Sequence, residues 1–190
     1  MPYRRGFKSE AHALVAEIRA DLGLTLLAPL DPWRLADHLE VPVITLSMLR
    51  VTAPEAVRCL MSREVDSFSA VTIFDGVRRL VVHNDAHVAG RQASNLTHEL
   101  GHALLLHPPT AALDDRGCRQ WDQEIEDEAG YLAGALLITP EAALHIVGRA
   151  VPLAQAASAY GVSLPMLQYR INVTGARLRV ARRGRVSQTH

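Results

Sequence analysis

The chain has 190 residues, 48% of them hydrophobic and 21% charged, which is enough to bury a core in one domain with at most a small appendage. Its 20 basic and 20 acidic residues cancel, so no net charge points to nucleic acid or a membrane surface, and 5% aromatic residues argue against a base-stacking face. The two cysteines, Cys59 and Cys118, lie far apart and outside any CxxC pair, which argues against a disulfide framework and leaves free thiols in a reducing compartment as the expectation. The basic N-terminus is followed by no apolar run of signal-peptide type, and no stretch approaches membrane-span length. A cytoplasmic protein is expected.

In chain order, SEAHALVAEIRADL (9–22) has helical periodicity, with Ser9 as N-cap and Gly23 as its end. A short helix is expected from Pro32, capped by Asp31, and then a strand from Val41 to Leu46. Residues 50–66 carry no decisive pattern. The β-rich runs SFSAVTIF and RRLVVHN flank Asp75-Gly76, a hairpin signal. A helix follows from about Arg91 to His107, stopped by Pro108-Pro109, and then a polar loop. A second long helix is expected over Asp122–Ile138, with an apolar stripe of Ile125, Ala129, Leu132, Ala133, Leu136 and Leu137. Pro140 opens another helix. The run VPLAQAASAYGVSLPMLQYRINVTG reads as helix, tight turn, helix, and the basic tail ARLRVARRGRVSQTH as frayed.

The stretch NLTHELGHALLLHPP, from Asn95 to Pro109, carries the chemistry. On a helix His98 and His102, four apart, stack on one face and can offer a ring nitrogen each to one ion. Glu99 is angled away from them and suits a general base acting on a metal-activated water. Small Gly101 and Ala103 allow close backbone packing, and Leu100 with Leu104, Leu105 and Leu106 anchors the helix. HExxH can arise by chance, so a third ligand is the test. The acid-rich start of the next helix offers Glu124, Glu126 and Glu128. Glu126 shares a face with Ala129, Gly130, Ala133 and Leu137, small or apolar residues that can press on the HExxH helix. Glu128 is an alternative, and Glu124 is expected in solvent. Zn2+ suits such a His/His/Glu set, although manganese or iron could occupy it.

Other groups receive plainer readings. His83 and His87 repeat the four-residue spacing but lack an adjacent glutamate, so a surface loop is expected, with Asn84 and Asp85 bracing or capping the following helix. One hairpin strand, Ser69–Phe74 or Leu80–His83, could hold an extended substrate along a sheet edge. A Cys118 thiolate could block zinc, but a free thiol is expected. Trp121 and Tyr131 could line a cleft, but packing is the commoner use. Ala157, Gly161, Val162 and Leu167 fit helix-turn-helix spacing, which would let Arg170 and Arg177–Arg185 meet phosphates. Leu164 and Pro165 stand where polar base readers belong, so packing or partner docking is preferred.

THELGHALLLH and EIEDEAGYLAGALLITP together resemble the ImmA/IrrE metallopeptidase family. The resemblance extends to RGFKSEAHALVAEIRADLGL, the strand pair and the GVS-containing end, to about Gly175. It implies an α+β, mostly helical zincin-like peptidase domain with a small β-sheet and the metal between two helices. It places His98, His102 and Glu126 as zinc ligands and Glu99 as the catalytic glutamate. Gly130 stands where the family usually has Asn, and Leu132 where it often has Phe, which bears on groups that orient the ligands. The expected organisation is a peptidase domain over residues 1–148, a helix-turn-helix-like segment packed on it over 149–175, and a basic tail over 176–190. The implied function is regulated proteolysis: a zinc endopeptidase cutting a helix-turn-helix repressor and so releasing transcription in a stress or mobile-element response. The alternative is a DNA- or repressor-binding regulator with a structural or vestigial metal site.

Overall fold

A computed structural model describes residues 3–61, 68–76, 78–108 and 122–186. It is an α+β structure, mostly helical with one small sheet. Helix α1 (Phe7–Asp21) starts two residues before Ser9, with Gly6 at φ 87° as its N-cap, so Ser9 lies inside the first turn. It buries Phe7, Ala11, Val15 and Ile18, the periodic face read from the sequence. Helix α2 (Pro32–His38) is capped as expected, Asp31 accepting from the Trp33 amide at 3.0 Å.

Strand β1 is only Val43–Thr45. The expected continuation into Leu46 fails because the Thr45 hydroxyl accepts from the Met48 amide and caps a helix, α3 (Leu46–Thr52). Helix α4 (Pro54–Met61) follows, so most of the undecided stretch is helical, and residues 62–66 lie outside the described set. Strands β2 (Ala70–Asp75) and β3 (Arg78–His83) form the expected antiparallel hairpin, with Thr72 opposite Val81. The parallel pairing of β1 with β3 gives the order β1-β3-β2 and leaves β2 at an edge.

Helix α5 (Ala89–Leu104) ends three residues short of His107. Leu106 turns left-handed at φ 54°, and the His107 amide bonds back to the His102 carbonyl at 3.0 Å. Helix α6 (Gln123–Leu137) fits its expected span within a residue, Asp122 accepting from the Glu124 and Ile125 amides. Ala129, Leu132, Ala133, Leu136 and Leu137 of its stripe are buried and Ile125 is half-buried.

Helices α7 (Pro140–Gly148), α8 (Leu153–Ala159) and α9 (Leu164–Val173) follow. The basic run does not fray as expected: α10 (Ala176–Val186) is a helix. Arginine is a good helix former, Ala176 is fully buried, and Val180 packs against Gly148. One buried apolar cluster runs from Phe7 through Leu96, Leu100 and Leu132 to Leu167, Ile171 and Ala176. A second, smaller one lies under the sheet around Leu46, Val57 and Val82. No single helix among the described residues is long and apolar enough to cross a membrane. Together α6 and α7 reach the length, but they bend by 51°.

Candidate metal centre

The site forms where α5 lies against α6. Gly101 is the contact point: a Cβ there would sit 3.0 Å from the Ala129 carbonyl oxygen, so only glycine lets the backbones meet without displacement. The first turn of α6 thereby comes level with the C-terminal half of α5, where His98 and His102 stand one turn apart. His98 Nε2 is 3.1 Å from Glu126 Oε2 and 3.1 Å from His102 Nε2. His102 Nε2 is 3.7 Å from Glu126 Oε1. Ligand atoms at ordinary zinc distances on a tetrahedron are separated by about 3.3 Å, so the donor set fits a tetrahedral ion with one position left open. Among the described residues, these three side chains bring one ligand atom each within 4.8 Å of the others. All three are partly exposed, which leaves room for a fourth, exchangeable group.

Burial pushes the His102 imidazole down to about 4, assisted by neighbouring His98 and opposed by the Glu126 carboxylate. The ring is therefore neutral near pH 7 and has a lone pair to give to a cation. Glu99 is partly buried, and one of its carboxylate oxygens accepts from the Thr72 hydroxyl at 2.5 Å. The edge strand β2 is thus laid beside Glu99. Arg79 Nη1 of β3 donates to the His102 carbonyl at 3.3 Å, tying the sheet to the helix at the site.

The alternative third ligand takes a different direction. Glu128 is 7% exposed and pairs with Arg4 Nε at 3.0 Å, with His107 Nε2 at 3.8 Å. Glu124 is exposed, as expected. Of the three acids, only Glu126 joins the two histidines.

The family model for the IrrE N-terminal-like domain, peptidase family M78, matches residues 60–172. The chain belongs to this family. It is a metallopeptidase family, and the matched span contains both helices of the His/His/Glu cluster. No curated protein matches the chain.

Gly130, the position the resemblance assigns to Asn, faces a ligand histidine: a Cβ there would make ordinary van der Waals contact with His98 Nδ1 at 3.9 Å. Several expected placements need correction. His83 and His87 are not on a surface loop; they are 1% and 7% exposed. His83 packs edge-on to Trp33, its ring nitrogens have no hydrogen-bond partner among the described residues, and burial lowers its pKa. Asp85 accepts from the Ser47 amide and so braces the start of α3 rather than capping α5, though its carbonyl receives the Gln92 side chain of α5. Asn84 bonds to the Phe68 carbonyl and the Ala86 amide.

Tyr131 is a packing residue, wedged between Tyr3 and Phe7 with its hydroxyl on His12 Nε2 at 2.9 Å. Cys118 and Trp121 lie outside the described residues. Arg170 is not available to phosphates: it is fully buried, its Nε donating to the Ile138 carbonyl at 3.0 Å. Of the two candidate substrate strands, β3 is paired on both sides, and β2 has one edge with no strand partner among the described residues. Sequence reasoning missed Thr72, Arg79 and His107. His107 alone had a visible signal, a third histidine five residues after the HExxH pair.

Proposed function

We propose that the chain is a zinc-dependent endopeptidase of the HExxH type that cleaves a helix-turn-helix repressor and acts in the cytoplasm in regulated derepression. The observation that carries this reading is the convergence of His98, His102 and Glu126 beside a carboxylate, Glu99, held by Thr72. His98, His102 and Glu126 would hold the ion. A zinc ion bound there supplies Lewis-acid polarisation of the scissile carbonyl and a water of near-neutral pKa. Glu99 takes the proton of the attacking water and returns it to the leaving amine. The Thr72 hydroxyl restrains one oxygen of Glu99, leaving the other for the proton. The unpaired edge of β2 suits a substrate bound in extended form, aligned by main-chain hydrogen bonds. A site assembled from one edge strand and two helices favours a locally unfolded segment over a folded surface.

The test is incubation of the zinc-loaded protein with a panel of helix-turn-helix repressors, with fragments sized by mass spectrometry. Discrete cleavage by the parent and none by Glu99→Gln supports the reading. Equal cleavage by both would overturn the role of Glu99. The second reading, a regulator that binds DNA or a repressor without cutting, draws on one feature: α10 exposes Arg177, Arg179, Arg182 and Arg183. It predicts derepression that survives Glu99→Gln.

A further inference from the structure

We propose that His107, backed by Glu128 and Arg4, orients the His102 ring for metal binding and so links the N-terminal segment to the metal centre. The proposal rests on the metallopeptidase reading above. His102 turns its Nε2 toward His98 and Glu126, while its other nitrogen, Nδ1, lies 2.9 Å from His107 Nδ1. Two ring nitrogens at that distance share one proton, and the metal centre decides which of them carries it. A ring that gives its Nε2 lone pair to a cation holds its proton on Nδ1. His102 Nδ1–H therefore donates and His107 Nδ1 accepts. The reverse arrangement would put the His102 proton on Nε2, in the middle of the ligand cluster.

The surroundings of His107 favour the productive arrangement. With Nδ1 accepting, His107 carries its proton on Nε2, which faces the Glu128 carboxylate at 3.8 Å. Both side chains are 9% exposed, so this preference is felt in a region of low dielectric. Glu128 is fixed in turn by Arg4 Nε at 3.0 Å, and Arg4 also pairs with Glu10 at 2.7 Å. The backbone aims the ring: the left-handed turn at Leu106 and the bond from the His107 amide to the His102 carbonyl fold His107 back over its partner. Metal-binding histidines generally donate their second N–H to a carboxylate or carbonyl, which fixes tautomer and orientation. In this chain the carboxylate stands one imidazole further out. The outermost link, Arg4, precedes the segment matched by the family model, so the chain of contacts behind His102 begins outside that segment. His107 is a positioning residue. Its ring nitrogen meets the far side of His102, so it does not belong to the ligand set.

The test is zinc affinity measured by competition with a chromogenic chelator at fixed pH. The proteins are the parent, His107→Ala, His107→Gln and Glu128→Gln, each checked for folding by circular dichroism. The cobalt(II) absorption spectrum of each supplies a second readout. His107→Ala should bind zinc about 10- to 100-fold more weakly and shift the cobalt bands, as expected when the support of a ligand is lost. His107→Gln, whose amide oxygen can accept from His102, should recover part of the loss. Glu128→Gln, isosteric and unable to favour one tautomer, should weaken binding by a smaller factor. Folded His107→Ala with the parent's affinity and cobalt spectrum would overturn the proposal. If that variant does not fold, unchanged affinity in Glu128→Gln would overturn it. A parent that binds no zinc would sink the metallopeptidase reading itself, an outcome distinct from tight binding by parent and variants alike.

Discussion

The two ends of α6 put charge to opposite uses. At its N-terminal end are acids: Glu126 faces the histidines with 23% of its side chain exposed, and Glu128 backs His107. At its C-terminal end are two fully buried arginines from distant parts of the chain. Arg19 of α1 donates to the Leu136, Thr25 and Ala28 carbonyls at 2.7, 2.9 and 2.7 Å, and Arg170 of α9 to the Ile138 carbonyl. Both arrangements suit the helix dipole, negative groups at the start and positive ones at the end. They differ in access. At the first end Glu126 stays within reach of solvent while Glu128 is buried against His107, whereas the other end satisfies carbonyls that would otherwise be orphaned. One helix thus carries the acid that meets the histidines at its start and anchors two buried arginines at its end.

That division can be broken from either end. The largest effect is expected at the chemical end. Glu99→Gln should lower cleavage of the repressor by about 10²- to 10⁴-fold while leaving zinc content and thermal stability unchanged, as read by fragment kinetics beside metal analysis. Next, Arg19→Ala should cost about 2–4 kcal/mol in denaturant unfolding of the zinc-free protein, because it strands the buried Leu136 carbonyl, removes the donors of the part-buried Thr25 and Ala28 carbonyls and empties a fully buried site. Arg170→Met should cost less, about 1–2 kcal/mol, because it leaves the one buried Ile138 carbonyl without its donor. Arg170 makes one carbonyl bond here, and its Nη1 and Nη2 have no hydrogen-bond partner among the described residues. Equal losses from the two substitutions would show that the arginines share one role.

A smaller effect is expected from Thr72→Val, which keeps the shape of the strand residue but removes the hydroxyl on Glu99. Cleavage should fall about tenfold, the worth of one charge-assisted hydrogen bond, with zinc affinity unchanged. A matching loss of zinc would mean that Thr72 supports the ligand helix rather than the base. The mildest effect concerns pH. Burial holds His83 neutral in the folded protein, below its unfolded value near 6.5. Its contribution to stability is therefore complete above about pH 6.5 and is lost as pH falls below it, because the unfolded state takes up the proton more readily. The melting temperature should decline from pH 7 toward pH 5, and His83→Phe should decline less steeply. An identical slope in the variant would place that acid sensitivity elsewhere.

Much of this arrangement is legible in the sequence, and the exceptions have causes. The HExxH helix and α6 announce themselves because long amphipathic helices repeat their apolar face. The spacing of Glu126 from Ala129, Gly130 and Ala133 indicates which acid faces the partner helix. Asp75-Gly76 fixes the hairpin. By contrast, α3 and α4 are short, meet at Pro54 and have no run of periodicity, so tertiary packing decides them. The arginines of α10 look like a solvated tail because the anchors that hold the helix, Ala176 and Val180, are too few to form a pattern. Arg170 looks like a surface cation because nothing nearby in sequence reveals the carbonyls waiting at the end of α6. His83 and His87 are buried by Trp33, Asn84 and the following helix, partners that local polarity does not disclose. Thr72 reaches Glu99 across 27 residues, which no local signal could show.

The most direct test of the central claim is zinc stoichiometry under equal metal buffering in the parent, Glu126→Ala and Glu124→Ala. The structure predicts about one zinc per chain in the parent and in Glu124→Ala, whose glutamate is exposed, and far less in Glu126→Ala. Full zinc in Glu126→Ala, or none in the parent when zinc is supplied, would contradict it.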